Sequence, residues 1–194
     1  MAATSRKQGC ESRGVQTAIE FRALDRSDLS RLSDIDRTER IEVLYVQEGT
    51  ELVARHGEWN ATAWDGDSQH DHSVEAKVRE AEQYLDVGGH AFGAFAHDRM
   101  IGIGIVVPHL RPGIAQLAFL HVSAPWRSAG IGARLCERLD EVARSAGASE
   151  MVVSATPSGD TVRFYRGRGF TPTADPVPEL FRLEPEDVHM HKGL

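Results

Sequence analysis

The sequence predicts a single α/β domain, and three observations predict it. An apolar run from Leu117 to Val122 reads as a buried strand; Pro125 ends it, and a glycine-bearing turn from Arg127 to Gly132 leads at once into a helical pattern. Two further runs, Ala91–Ala96 and Met100–Val107, flank a tight turn at His97–Asp98–Arg99 and carry the clearest β pattern in the chain. Apolar residues also recur at helical spacing, at Val74, Val78, Ala81 and Leu85 and again at Ile131, Leu135, Leu139 and Val142. With 194 residues the chain is long enough for one domain with a substantial core.

Taken in order, residues 1–16 are polar and aperiodic and read as a disordered leader, so the folded domain is expected over 17–194. Ala18–Arg22 alternates as a first strand. Asp25 and Ser27 offer caps for a helix through Leu29, Leu32 and Ile35. Between Ile41 and Trp64, Val43, Tyr45 and Gln47 face Leu52, Val53 and Arg55 across Glu48–Gly49–Thr50, which predicts a hairpin. Trp59–Trp64 and Asp65–His72 read as a polar loop; His70 and His72 have no third ligand at a recognisable spacing, so solvated histidines are expected and no metal. The helix from Ser73 to Leu85 ends near Gly88–Gly89. Gly93, Gly102 and Gly104 clear space in consecutive strands, for a helix, a ligand or a bend of the sheet. Beyond the turn, the helix from Ile131 stops at Gly147, Met151–Ala155 is a strand, and Ser158 caps a helix carrying Phe164 and Tyr165. Leu180–Leu183 and Asp187–Lys192 read as two last strands.

Composition bounds the function. Hydrophobic residues make up 41% and charged residues 26%, as in ordinary globular domains. The net charge of −7 argues against nucleic acid as a partner and mildly favours a cationic one. No apolar run approaches a membrane span and no signal-peptide core is present, so a membrane partner is not expected. Cys10 and Cys136, one in a polar tail and one in a helix, fit a reducing cytoplasm better than a disulfide.

The turn itself is the most informative stretch. A strand that breaks into a glycine turn at a helix N-terminus is an anion site, because unpaired amides and the positive end of the helix dipole converge there. Gly132 is followed by Ala133, which excludes a Walker-type loop, and Gly130, Gly132 and Leu135 give only two of the three glycines of a dinucleotide fingerprint. What remains, Arg127-x-x-Gly130-x-Gly132 after Leu120, Val122 and Pro125, with Phe164-Tyr165-Arg166-Gly167-Arg168-Gly169-Phe170 downstream, resembles the GNAT superfamily of N-acetyltransferases. The likeness covers His90 to Leu194 well and Ile19 to Gly89 by general layout.

The resemblance implies an α/β fold with a mixed, mainly antiparallel central sheet, splayed between the family's strands four and five, with helices on both faces. It implies acetyl transfer from acetyl-coenzyme A to an amine by direct attack, the acceptor being a small-molecule amine. The alternatives are a protein N-terminus or lysine, or a coenzyme A-binding module without catalysis. Arg127, Ser128, Ala129, Gly130, Ile131 and Gly132 map onto the phosphate clamp, and Leu120 and Val122 onto the strand whose backbone amide polarises the thioester carbonyl. Tyr165 matches the tyrosine that protonates the leaving thiolate, a role it shares with packing beside Phe164. Ser158 stands where many members place an asparagine that bonds the pantetheine arm. The general base has no obvious owner: Gln116 occupies the position of a family carboxylate, His121 falls on the opposite strand face from Leu120, and Asp34, Glu42, Glu48, His189 or water remain. A homodimer through the C-terminal strands or the hairpin is a further expectation.

Overall fold

The computed structural model describes residues 18–64 and 73–194; the leader and the His70–His72 pair lie outside them. A seven-stranded sheet forms the centre, in the order β1 (Ile19–Leu24), β4 (His90–Ala96), β5 (Arg99–Arg111), β6 (Ile114–Val122), β7 (Glu150–Ala155), β9 (Val188–Gly193), β8 (Thr171–Pro172). Every neighbouring pair is antiparallel except β6 and β7, which run parallel and pair only from Ile114–Glu150 to Gln116–Val152. Beyond Gln116 the two strands part, so the mainly antiparallel sheet splayed in its middle is the one expected.

Helices cover both faces. A 3-10 helix, Arg26–Asp34, and α1 (Val74–Asp86) pack with Ala91, Phe95, Ile103, Ile105 and Phe119. On the other face α2 (Ile131–Ser145) lays Ile131 and Leu135 against Ala94 and Ile101, and α3 (Gly159–Gly167) adds Val162 and Tyr165 to the cluster around Leu139 and Met151. The clearance at Gly102 and Gly104 serves this helix. A Cβ built on Gly102 would stand 3.0 Å from Ile131 Cγ2, and one on Gly104 3.1 Å from Leu139 Cδ1.

Local chemistry explains the boundaries. Asp25 caps the first helix and forms a reciprocal capping box with Asp28, but the short segment winds as 3-10 and Ile35 lies just past its end. Ser73 caps α1 through the Ala76 amide. The hairpin forms as β2 (Glu39–Glu48) and β3 (Glu51–Ala61) around a Gly49–Thr50 turn.

Three expectations need correction. Trp59–Ala61 is strand, not loop, because Ile41, Arg40 and Glu39 continue the ladder to Trp59, Asn60 and Ala61 past a register shift. Leu180–Leu183 belongs to a helix, α4 (Pro178–Leu183): Pro178 pre-sets the first turn, and Leu180 is buried beside Val152 and Val177. The connection between β4 and β5 is the two-residue turn His97–Asp98, Arg99 being already in strand. The short strand β8, paired to His191 and Met190, has no counterpart in the sequence reading.

Candidate active site

The site is built from the part of β6 and β7 that does not pair. The Ser123 amide donates to the Ile101 carbonyl at 2.9 Å. Backbone groups alternate along a strand, so the amides of Val122 and Leu120 point away from β5 and into the gap toward β7. Their side chains pack on the α2 face: a Cβ on Gly104 would meet Leu120 Cδ1 at 3.4 Å, and one on Gly132 would meet Val122 Cγ2 at 3.6 Å. The splay thus presents two main-chain donors whose direction depends on strand register and not on side-chain identity.

At the open end of β6, Ser123 to Trp126 make a short 3-10 turn around Pro125, and α2 begins at Ile131 with Gly130 as its cap. Gly130 sits at φ +79° and Ser128 at φ +63°, left-handed conformations that turn the loop back on itself. No side chain caps this helix, and its first turn contains no acidic residue. The leading amides of a 15-residue helix are therefore directed at solvent with the dipole behind them. Gly132 is a different kind of requirement, since a Cβ there would press on the Phe164 ring at 3.2 Å. Ser128, Ala129 and Gly130 are exposed, so an anion can approach this backbone.

Arg127 is the residue whose place differs most from a phosphate-binding side chain. Its Nε donates to the Val122 carbonyl at 3.2 Å, while NH1 and NH2 donate to the carbonyls of Thr38 and Arg37 at 3.0 and 3.1 Å. The same guanidinium lies 3.4 Å from Glu39 Oε2. It joins the loop to the start of β2. Ser158, 1% exposed, is equally engaged: it caps α3 through the Thr161 amide at 3.3 Å and donates to Glu39 Oε1 at 3.0 Å. Glu39 therefore links Arg127 of the loop to Ser158, the cap of α3.

The hairpin is fixed over this region by further contacts. The Tyr45 amide donates to the Pro157 carbonyl at 2.8 Å, and Gln47 Oε1 accepts from the His189 amide at 2.8 Å. Gln47 Nε2 reaches the Thr173 carbonyl at 2.8 Å.

Tyr165 stands on α3 between Phe164 and Phe170, with ring centroids 5.3 and 5.4 Å away in edge-on geometry. Burial, with Cys136 and Asp187 nearby, pushes its phenol far above the ordinary value. The hydroxyl stays protonated and is available as a donor. Burial likewise pushes the Cys136 thiol up to about 12, so that sulfur is an inert core group.

Among the base candidates, Asp34 is occupied by the Met100 amide and Arg31. Glu42 and Glu48 are exposed on the hairpin. His121 packs edge-on to Phe119 and Trp64 at 4.6 and 5.0 Å on the α1 face. Burial, reinforced by Lys77, Arg37 and Arg127, lowers its pKa to about 3, so it is neutral and weakly basic. Gln116 is buried in the last β6–β7 pair, at the closed end of the splay.

The sequence reading missed Asp187, the residue just before β9. Burial, and then Glu184, raise its pKa from 3.8 to about 7. The folded state holds this proton more tightly than the unfolded chain. Its stabilising contribution is therefore complete below about pH 4, falls as pH rises toward 7, and stays lost above. Asp187→Asn should raise the melting temperature at pH 8 by more than it does at pH 4.5, read by calorimetric melts at both values.

A cavity of about 370 Å³ lies under α4, lined by Arg111, Ile114, Glu150, Val152, Leu180 and His189. It borders the paired half of β7 and not the loop. Among the described residues no helix is long and apolar enough to cross a membrane.

Comparisons agree with this geometry. Residues 53–170 match the family model described as Acetyltransferase (GNAT) family. Among solved structures, a nourseothricin acetyltransferase aligns with 91% of this chain and 99% of its own, at 16% identity and TM-score 0.66. A Bacillus anthracis protein in complex with acetyl coenzyme A aligns over the same shares at 14% identity and TM-score 0.67. PaiA N-acetyltransferase from Thermoplasma acidophilum, in complex with coenzyme A, does so at 19% identity and TM-score 0.59. No curated protein matches the chain. With the family model spanning more than half of its length, and with a splayed sheet beside an open helix N-terminus, the chain belongs to the GNAT acetyltransferase family.

Proposed function

We propose that the protein transfers the acetyl group of acetyl-coenzyme A to the primary amine of a small molecule by direct attack. The observation that carries the reading is the uncapped N-terminus of α2 next to the gap between β6 and β7. The residues present suit that cosubstrate: backbone amides from Ser128 to Gly132 for the pyrophosphate, with Arg127 holding their loop in shape. The amides of Leu120 and Val122 are aimed where a thioester carbonyl would develop negative charge. Tyr165 supplies the proton that the departing sulfur needs. Coenzyme A or its acetyl ester in two of the related structures supports the cosubstrate, and the nourseothricin enzyme supports a small acceptor. Near the splay, Glu80 opposes the ionisation of Glu184, and Glu184 that of Asp187, an acidic setting that favours a cationic acceptor.

The test is calorimetric titration with acetyl-coenzyme A, followed by a thiol-release screen over primary amines that includes nourseothricin. Binding with amine-dependent thiol release is the expected result. Binding without turnover on any amine would point to a protein acceptor or a non-catalytic module, and absence of binding would overturn the reading. Tyr165→Phe keeps the ring and its packing. It should lower kcat by about 10²-fold while leaving acetyl-coenzyme A affinity within a factor of about two.

A further inference from the structure

We infer that Ser154 and His189 form the relay that takes the proton from the acceptor amine, an assignment that rests on the acetyl-transfer reading above. Ser154 lies on β7 two residues beyond Val152, where pairing to β6 has stopped, so it belongs to the wall of the splay. Its partner across the β7–β9 ladder is His189, and the Ser154 Oγ stands 3.3 Å from His189 Nδ1. The other ring nitrogen, Nε2, is 3.0 Å from the Glu184 carbonyl oxygen.

These two distances fix the tautomer. A carbonyl oxygen can only accept, so Nε2 must carry the hydrogen; Nδ1 is then a lone pair, and the Ser154 hydroxyl donates to it. Only 4% of His189 is exposed, and its backbone is clamped by Gln47 from the hairpin, so the ring is held in place. His121, the other histidine flanking the splay, has neither feature.

The surroundings suit proton uptake. The Phe181 ring of α4 covers His189 at 5.4 Å. The Glu184 carboxylate lies near Ser154, with Glu80 and Lys77 of α1 behind it, and Asp187 stands just ahead of β9, two residues before His189. Burial lowers the imidazole pKa, partly offset by the Glu184 carbonyl, so the ring is neutral near pH 7 with its Nδ1 lone pair free to accept. The carboxylates would then stabilise the imidazolium.

The step balances as follows. The amine nitrogen bonds to the carbonyl carbon and gives a proton to Ser154 Oγ, whose own proton passes to His189 Nδ1. The carbon–sulfur bond breaks, and the thiolate takes the proton of Tyr165 Oη. Solvent returns the imidazolium proton to the tyrosinate, restoring both groups.

Two measurements test the relay. In the unliganded protein, nitrogen NMR of the His189 ring should show the Nε2–H tautomer, titrating below 6.5; an Nδ1–H tautomer would overturn the assignment whatever the variants do. Ser154→Ala should lower kcat about 10²-fold on the best amine from the screen, with acetyl-coenzyme A affinity unchanged. His189→Gln should also remove the acidic limb of the kcat profile, through which the wild type loses activity as the imidazole protonates. A Ser154→Ala enzyme within twofold of wild type, or a His189→Gln enzyme that keeps the limb, would reject the relay and leave acetyl transfer standing. Failure of the wild type to bind acetyl-coenzyme A would instead remove the reading on which the relay rests.

Discussion

Replacing Gly130 with glutamate is expected to abolish acetyl-coenzyme A binding while the domain stays folded. The residue caps α2 at φ +79°, and nothing lies within 4 Å of a Cβ built there, so a side chain has room. The cost to the fold is the strain of a non-glycine residue in the left-handed region, about 1–2 kcal/mol. The cost to binding is much larger. A carboxylate at this position can lie across the free amides of Ile131 and Gly132 and cap the helix itself, placing negative charge where the pyrophosphate must sit. Calorimetry should show affinity falling by more than about 10²-fold, with a melting temperature only a few degrees lower. Gly130→Asn supplies the control, since asparagine tolerates this backbone and carries no charge. Its affinity should fall by less than about tenfold. Wild-type affinity in the glutamate variant would sink the assignment of the loop.

The largest loss of stability is expected from Asp140→Ala. Lys192 on β9 places its ammonium 2.8 and 2.6 Å from the two Asp140 oxygens on α2, and 4.8 Å from the centre of the Phe170 ring. The side chains are 7% and 14% exposed, so the pair is nearly dry. Removing one partner from such a pair strands the other charge, at a cost of about 3–5 kcal/mol. For a domain of this size that corresponds to a drop in melting temperature of about 10 °C. Adding Lys192→Met should recover most of the loss, because the double variant buries no unpaired charge. If Asp140→Ala melts within 2 °C of wild type, the ammonium has found water, and the pair does not anchor β9 to α2.

What could be read in the sequence was local. Arg127-x-x-Gly130-x-Gly132 and the Phe164–Phe170 box gave the loop and the family, and Gly49 at the centre of the β pattern from Val43 to Arg55 gave the hairpin. Asp25 and Ser158 cap as their types suggest. What could not be read was distant in the chain or too short to show a period. Arg127 reaches carbonyls of residues 37 and 38, and Ser158 reaches Glu39; no pattern around either residue encodes those partners. Ser154 and His189 meet only because β7 and β9 pair in one register. Leu180–Leu183 is four residues long, too few to separate a helical period from an alternating one, and Pro178 was the signal that decided it.

The hairpin is tied to the body of the molecule largely through main-chain atoms. The Tyr45 amide meets the Pro157 carbonyl, Gln47 grips the backbone of His189 and Thr173, and Arg127 holds the carbonyls of residues 37 and 38. Main-chain partners survive when neighbouring side chains change. Most of β3 and alternate positions of β2 can therefore drift under selection without loosening the hairpin from the gap it overhangs. The inheritance of new acceptors and the upkeep of the chemistry are in this way assigned to separate stretches of one chain.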